Sequence, residues 1–298
     1  MWKQMLTAIQ EGSQKSLARC ISLIENEVSG YEELLQSMTP SSVPLIGITG
    51  PPGAGKSTLV DSLIDVLVHN DKKVAVLCVD PSSPFNLGAL LGDRIRMSNW
   101  YNHPNVFIRS LATRGSLGGL HPKILEIADV CRQAPFDYVI VETVGVGQSE
   151  VEVTGLADVT VVVLVPEAGD EVQTMKAGLM EIADVFVVNK ADRPEADLFV
   201  RNLRLMLAPT FKEDRFEIAV IKTIATEKNG VEELWHALRT FLESGHYNKR
   251  RSWLLAEKAY ALIQQKRMKD VSKVQLKQDI ENELKHKSFN LYQFIKNK

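Results

Sequence analysis

The most specific chemistry in the chain is carried by the run Gly50-Pro51-Pro52-Gly53-Ala54-Gly55-Lys56-Ser57-Thr58. It fits the pattern G-x-x-x-x-G-K-[S/T], with an apolar strand-like run before it and the helix-periodic stretch LVDSLIDVLV after it. Glycines let successive backbone N–H groups turn toward one anion, and a helix starting there points its positive dipole end at the same anion. Lys56 adds a full charge near the β- and γ-phosphates. Ser57 offers a hard hydroxyl oxygen to Mg²⁺, and Thr58 is placed for a further phosphate contact. The chemistry expected of the whole run is the cradling of a nucleoside triphosphate or diphosphate.

A second run names the base. Asn189-Lys190-Ala191-Asp192 follows the apolar stretch VFVV, about 130 residues after the phosphate loop. A carboxylate at Asp192 can accept from guanine N1–H and the exocyclic amine together, whereas adenine offers no such pair of donors. Asn189 is expected to tie its loop to the phosphate segment, and the Lys190 stem to lie along the base. Backbone amides of the later segment Thr223-Ile224-Ala225-Thr226, Ala225 especially, are placed to meet the guanine oxygen.

Three acidic residues sit at or just past strand-like runs: Asp80 in VDPSS, Asp93 in LGDR and Glu142 in VET. In open α/β sheets ligands bind outside the carboxyl ends of the strands, so all three can face the phosphates. With Ser57 they form a candidate Mg²⁺ shell, direct or through water. For Asp93 a local ion pair with Arg94 or Arg96 competes. Gly145 can present its N–H to a γ-phosphate because it lacks a side chain. Gln148 is either a residue that orients the attacking water or an ordinary loop residue. With Lys56, these two make up the candidate catalytic set. A further segment, Pro166 to Lys176, carries Asp170, Glu171 and Lys176 around a glycine and is a candidate switch or partner-facing loop, with a plain surface loop as the alternative.

The elements that must position these residues are legible as apolar runs at 45–49, 74–79, 106–111, 138–142, 159–165, 185–189 and 217–221, most of them separated by helix-like stretches. Near-continuous apolar strands alternating with helices predict an α/β fold, a doubly wound, mostly parallel sheet covered on both faces. Residues 1–42 read as a helical arm broken near Gly12 and Gly30, with Leu17, Ile21 and Ile24 at helix spacing. Residues 43–245 read as the nucleotide-binding domain and 246–298 as a helical C-terminal arm that includes 13 Lys/Arg against 5 Asp/Glu from Lys249 onward.

Composition sets the outer limits. The 298 residues are 45% hydrophobic and 24% charged with a net charge of −2, an ordinary globular balance that creates no global field for nucleic acid. The basic C-terminal stretch is a solvated helix face or a docking surface for an acidic partner. Three scattered cysteines predict a reducing compartment without a disulfide framework. No apolar run reaches membrane-spanning length, and no leader pattern opens the chain. A cytoplasmic protein with no nucleic-acid and no membrane partner is expected.

Together GITGPPGAGKST, VAVLCVDPSSP, LGDRIRM, FIRSLATRGSLGGL, VETVGVGQSEVEV, GDEVQTMKAG and EIADVFVVNKAD resemble the MeaB/ArgK/MMAA group of G proteins. The resemblance is strong over about 43–245 and extends to the arms in placement and character. It implies a P-loop fold and a homodimeric Mg²⁺-dependent GTPase binding GTP and GDP. The implied partner is an adenosylcobalamin-dependent acyl-CoA mutase, chiefly methylmalonyl-CoA mutase, whose cofactor loading the GTPase gates and which it protects from inactivation. By motif position it implies phosphate and Mg²⁺ roles for Lys56 and Ser57, metal-side roles for Asp80, Asp93 and Glu142, a second switch over Gly145 to Gln148, and a further switch around Asp170 to Lys176. The C-terminal arm is the implied dimerisation element. The stretch Phe85 to Leu90 is more apolar than the Gly/Ser/Thr-rich one the group carries before LGD. Two other classes use similar loops: nickel metallochaperone GTPases, which call for clustered His or Cys, and P-loop kinases, which have no use for Asp192.

Overall fold

Seven runs rich in valine, isoleucine and leucine form strands, because β-branched side chains pack well on a pleated, fully buried surface. The computed structural model describes residues 1–80, 97–114, 120–145, 153–168, 182–207, 218–245, 248–285 and 289–296. Within them lie β1 (Leu45–Thr49), β2 (Val74–Asp80), β3 (Val106–Ala112), β4 (Tyr138–Glu142), β5 (Val159–Leu164), β6 (Val185–Asn189) and β7 (Ala219–Thr223). They form one sheet in the order β3-β2-β4-β1-β5-β6-β7, every pair parallel. The α/β, parallel-sheet expectation is met. The last strand differs: it begins at Ala219 and runs to Thr223, two residues beyond the expected end, which makes Thr223 a strand-end residue.

The helices of the first unit are α1 (Trp2–Gln10), α2 (Gln14–Glu25), α3 (Tyr31–Ser37), α4 (Lys56–His69), α5 (Ile124–Cys131), α6 (Ala196–Leu207) and α7 (Val231–Glu243). Side chains alternate between sheet faces. Leu45, Ala75, Leu77, Val139 and Val141 share a core with α1, α2, α3 and α5. Ile46, Ile48, Val76 and Ile140 share another with α4 and α7. The amphipathic stretch Gly230 to Glu243 is α7, burying Val231, Leu234, Trp235, Leu238 and Phe241. With the polar backbone paired inside the sheet, both faces can be apolar.

The N-terminal helices are not a separate body. They belong to one compact unit, Met1–Leu254, with the sheet. Gly12 and Gly30 mark the breaks between them, and Ser13 caps α2 by accepting from Ser16 N at 3.2 Å. Ile9, Leu17, Ile21, Ile24 and Leu34 are buried against sheet residues. A polar lock adds direction. Glu25 pairs with Arg109 of β3, Arg109 also donates to Ser22 Oγ at 2.9 Å, and Arg114 Nη1 donates to the Glu25 carbonyl at 2.7 Å. His121 beside them is buried, which lowers its pKa to about 4. It is neutral, and its Nδ1 accepts from Lys123 N at 3.0 Å. Cys20, Cys78 and Cys131 are buried free thiols, and burial pushes Cys20 up to about 12.

The second unit, Leu255–Lys298, holds the rest of α8 (Asn248–Arg267) with α9 (Lys273–Glu283) and α10 (Leu291–Lys296). Ser272 caps α9 by accepting from Gln275 N at 3.3 Å. No helix among the described residues is long and apolar enough to cross a membrane.

Because α2 lines the same core as the sheet, Ile21→Ala should destabilise the whole first unit by about 2–5 kcal/mol. Urea unfolding followed by circular dichroism and by intrinsic fluorescence should shift together. An early transition confined to the helical signal would show that the arm unfolds alone.

Candidate nucleotide and metal site

A parallel sheet gathers the carboxyl ends of all its strands along one edge, and the candidate residues come to that edge. The phosphate loop leaves β1 after Thr49 and enters α4 at Lys56, with Gly55 at the N-cap. Gly55 has φ 86°, and a Cβ on it would lie 2.4 Å from Asn189 Nδ2. Only glycine lets the loop pass that close.

Asn189 ends β6 and is 2% exposed. Its Nδ2 donates to the Ala54 carbonyl at 2.9 Å, and its Oδ1 accepts from Thr223 Oγ1 at 3.0 Å and from Ala225 N at 3.2 Å. One amide therefore joins the phosphate loop to the ends of β6 and β7. Lys190, held at φ 56°, donates Nζ to the Gly53 carbonyl at 2.8 Å. Its stem thus runs from the Asn189 loop to the phosphate loop. Asp192 is exposed and makes no hydrogen bond among the described residues. Ala225 is buried, its N–H turned to Asn189 and its carbonyl accepting from Ser62 Oγ at 2.6 Å.

On the phosphate side, Lys56 is 6% exposed and donates Nζ to the Gly50 carbonyl at 2.9 Å and to the Pro51 carbonyl at 3.0 Å. Ser57 Oγ donates to Glu142 Oε1 at 2.6 Å, both residues being buried. Asp80 ends β2, also buried, and its backbone carbonyl accepts from Thr113 N at 3.0 Å. Ser57, Asp80 and Glu142 so present hydroxyl and carboxylate oxygens at the edge where the lysine lies. Gly145 has φ 82°, and a Cβ there would sit 2.4 Å from the Gly50 carbonyl and 2.5 Å from Lys56 Nζ. The loop after β4 thus touches the phosphate loop through a residue without a side chain. Pro51, Pro52, Gly53 and Thr58 lie on the loop and first helical turn as expected.

Five candidates, Asp93, Gln148, Asp170, Glu171 and Lys176, lie outside the described residues. The first part of the Pro166 to Lys176 stretch is described: Pro166–Ala168 is a 3-10 turn, and Glu167 pairs with Arg193 just past Asp192. Arg193 holds the Glu167 carboxyl below the usual carboxylate range. The loops after β5 and β6 are thereby tied together.

Three contributors were not singled out from sequence. Thr49 and Thr143 share a hydroxyl hydrogen bond of 2.9 Å between the ends of β1 and β4, and Thr223 holds Asn189. The available signal was a threonine at or just past the carboxyl end of a strand-like run.

The phosphate loop fixes the P-loop class of nucleotide-binding proteins, and the Asn189 loop narrows it to those that use guanine: the architecture is that of a P-loop GTPase. The chain belongs to the family described as "Methylmalonyl Co-A mutase-associated GTPase MeaB", whose model matches residues 17–279. It is 44% identical over 272 residues to a putative GTPase of Pyrococcus abyssi, covering 88% of this chain and 84% of that one. It is 35% identical over 251 residues to the GTPase ArgK of Escherichia coli, covering 80% and 75%. It is 34% identical over 261 residues to the mouse protein named methylmalonic aciduria type A homolog, mitochondrial, covering 80% and 62%. A crystal structure titled LAO/AO transport system kinase superposes with a TM-score of 0.71 at 26% identity, covering 99% and 95%. The resemblance read from sequence is thus confirmed, and the chain is a GTP hydrolase that binds guanine nucleotide.

Asn189→Ala leaves a buried carbonyl, hydroxyl and amide without their partner, so it should cost about 3 kcal/mol of stability and weaken GDP binding at least about tenfold. Chemical denaturation and fluorescent-GDP titration would measure both. Gly145→Ala puts a methyl against Lys56 at a positive φ. It should cut GTP turnover at least about tenfold while GDP affinity stays within about threefold, because the clash lies on the γ-phosphate side.

Proposed function

We propose that this chain is a Mg²⁺-dependent GTPase that serves an adenosylcobalamin-dependent acyl-CoA mutase, methylmalonyl-CoA mutase or a relative, gating its cofactor loading and protecting it from inactivation. The observation that carries this reading is the family match over residues 17–279, which takes in part of each helical arm as well as the nucleotide site. A match confined to the phosphate and guanine loops would support GTP use alone.

The donor set suits Mg²⁺. Ser57, Asp80 and Glu142 offer only oxygen, the ligand type that Mg²⁺ takes. Among the described residues no three of His, Cys, Asp and Glu gather into a site built from protein alone. That is compatible with an ion that keeps phosphate and water ligands, and it gives a nickel metallochaperone nothing to rest on. Bound there, Mg²⁺ would neutralise charge on the β- and γ-phosphates.

The chain's own residues do the rest. Lys56 exchanges the Gly50 and Pro51 carbonyls for phosphate oxygens. Ser57, which now donates to Glu142, would offer its hydroxyl oxygen to Mg²⁺. Asn189 keeps the base and phosphate segments in register while Asp192 accepts from guanine. Gly145 offers its N–H to the γ-phosphate, so that its loop reports whether that phosphate is present. Gln148 is the candidate for orienting water, and Asp170, Glu171 and Lys176 for carrying the nucleotide state to the mutase.

The C-terminal arm fits a dimerisation role in a homodimer. Leu255, Tyr260, Ile263, Val274 and Leu284 are exposed there, and α9 buries no residue. Such apolar exposure is resolved by assembly. We place the protein in the cytoplasm, without nucleic-acid or membrane partners. A phosphotransferase reading has less support, because a kinase has no use for a guanine-reading Asp192.

Mixing the chain with methylmalonyl-CoA mutase or a related mutase should speed GTP hydrolysis at least about tenfold, since a partner that orders the loops supplies transition-state stabilisation. It should also prolong mutase activity during turnover. Unchanged hydrolysis and unchanged mutase lifetime across the mutase panel would overturn the proposal.

A further inference from the structure

Helix α4 does more than start at the phosphates. One turn past its first residues, Ser62 is 3% exposed on a stretch of helix whose other buried residues, beyond Ser57, are leucine, isoleucine and valine. A buried hydroxyl needs partners, and Ser62 Oγ reaches the Ala225 carbonyl at 2.6 Å, with its own helix's Thr58 carbonyl at 3.0 Å. The Thr58 contact is the usual way a serine is satisfied inside a helix. The Ala225 contact is long-range and ties α4 to the short turn Ala225–Glu227 after β7. One turn further along the same face, Asp65 Oδ2 pairs with Lys228 Nζ at 2.8 Å. Residues 62 and 65 lie on one side of a helix, so the turn is pinned to α4 at both ends.

The peptide that Ser62 grips joins Ala225 to Thr226. In a planar trans peptide the C=O and the N–H point in opposite directions. Holding the Ala225 carbonyl toward α4 therefore turns the Thr226 N–H away from it. That N–H has no hydrogen-bond acceptor among the described residues, and Thr226 is exposed. The Ala225 N–H, by contrast, is already engaged with Asn189.

We infer that Ser62 is a positioning residue for guanine recognition: through the Ala225 carbonyl it orients the 225–226 peptide so that the Thr226 N–H meets the guanine carbonyl oxygen. This rests on the reading that the segment after β7 faces that oxygen, and it moves the main donor from Ala225 to Thr226. It also makes α4 a rigid link between the phosphate end and the base end of the site.

The test compares GTP with 6-thioguanosine triphosphate, which keeps N1–H and the exocyclic amine but replaces the carbonyl oxygen with sulfur, a larger and weaker acceptor. The wild-type chain should bind GTP at least about tenfold more tightly than the analogue, the scale of a lost hydrogen bond that strands a polar group. Ser62→Ala should weaken GTP and GDP about three- to tenfold, leave analogue affinity within about twofold, and raise KM more than it lowers kcat. Thr226→Pro, which removes the N–H and also restricts the Ala225 backbone, should narrow the GTP-to-analogue ratio at least as far. If the wild-type chain does not distinguish the two nucleotides, the underlying reading of the segment fails. If it does, but Ser62→Ala weakens both equally or neither, the segment reading stands and the Ser62 inference falls.

Discussion

Asn189 is a short, rigid side chain in a dry position, with donor and acceptor ends that both need partners. It meets the requirement by gripping three pieces of backbone and side chain that are far apart in sequence: Ala54, Thr223 and Ala225. Any local movement of these loops would strand a polar group where water cannot replace the lost bond. The constraint spreads outward. Gly55 must lack a side chain because Asn189 Nδ2 occupies the space, β7 must end in a hydroxyl residue, and the turn after it must hold its amide inward. The register of β6 against β7, with Asn189 opposite Thr223, is the sheet-level expression of the same requirement.

The parallel sheet makes this convergence possible. Its strands spend their lengths on apolar packing and reserve their last residues for polar work. Thr49 with Thr143, and Ser57 with Glu142, are buried hydrogen-bonded pairs at that edge. A lone buried carboxylate would be costly, whereas one that accepts from a buried hydroxyl, as Glu142 does from Ser57, is tolerable. Lys56 follows the same logic: its buried ammonium lies on two carbonyl dipoles of the phosphate loop.

The helices add a mechanical dimension. α4 begins at the end of the phosphate loop and is joined to the turn after β7 through Ser62 and Asp65, so one rigid rod links that loop to that turn. On the far face, α2 is fastened by its apolar stripe and by the Glu25 cluster to β3, whose end meets Asp80 through the Thr113 amide. The helical arm thus shares a frame with the end of β2, where Asp80 lies. The unit Leu255–Lys298 is built differently, with apolar residues left on its surface and none buried among the described residues.

Much of this was open to reading from sequence. GPPGAGKST and NKAD declare their chemistry because the backbone conformations and donor sets they need admit few residue types. The apolar runs declare a parallel sheet because strands buried on both faces cannot alternate with polar residues. The helical breaks at Gly12 and Gly30 were visible for a similar local reason. What the linear order could not show were contacts made by ordinary residues at long range. Ser62 reads as a neutral helix serine, Thr223 as a loop residue past a strand, and the arm as an appendage. Their roles exist only once the sheet has brought β7 beside β6, laid α4 beneath the turn that follows, and given α2 a face to cover. The sequence by itself determined the ligand-bearing loops and the layered sheet, because both follow from local stereochemistry and periodicity. Tertiary structure alone decided which polar groups are buried together, because burial is a property of packing rather than of any residue.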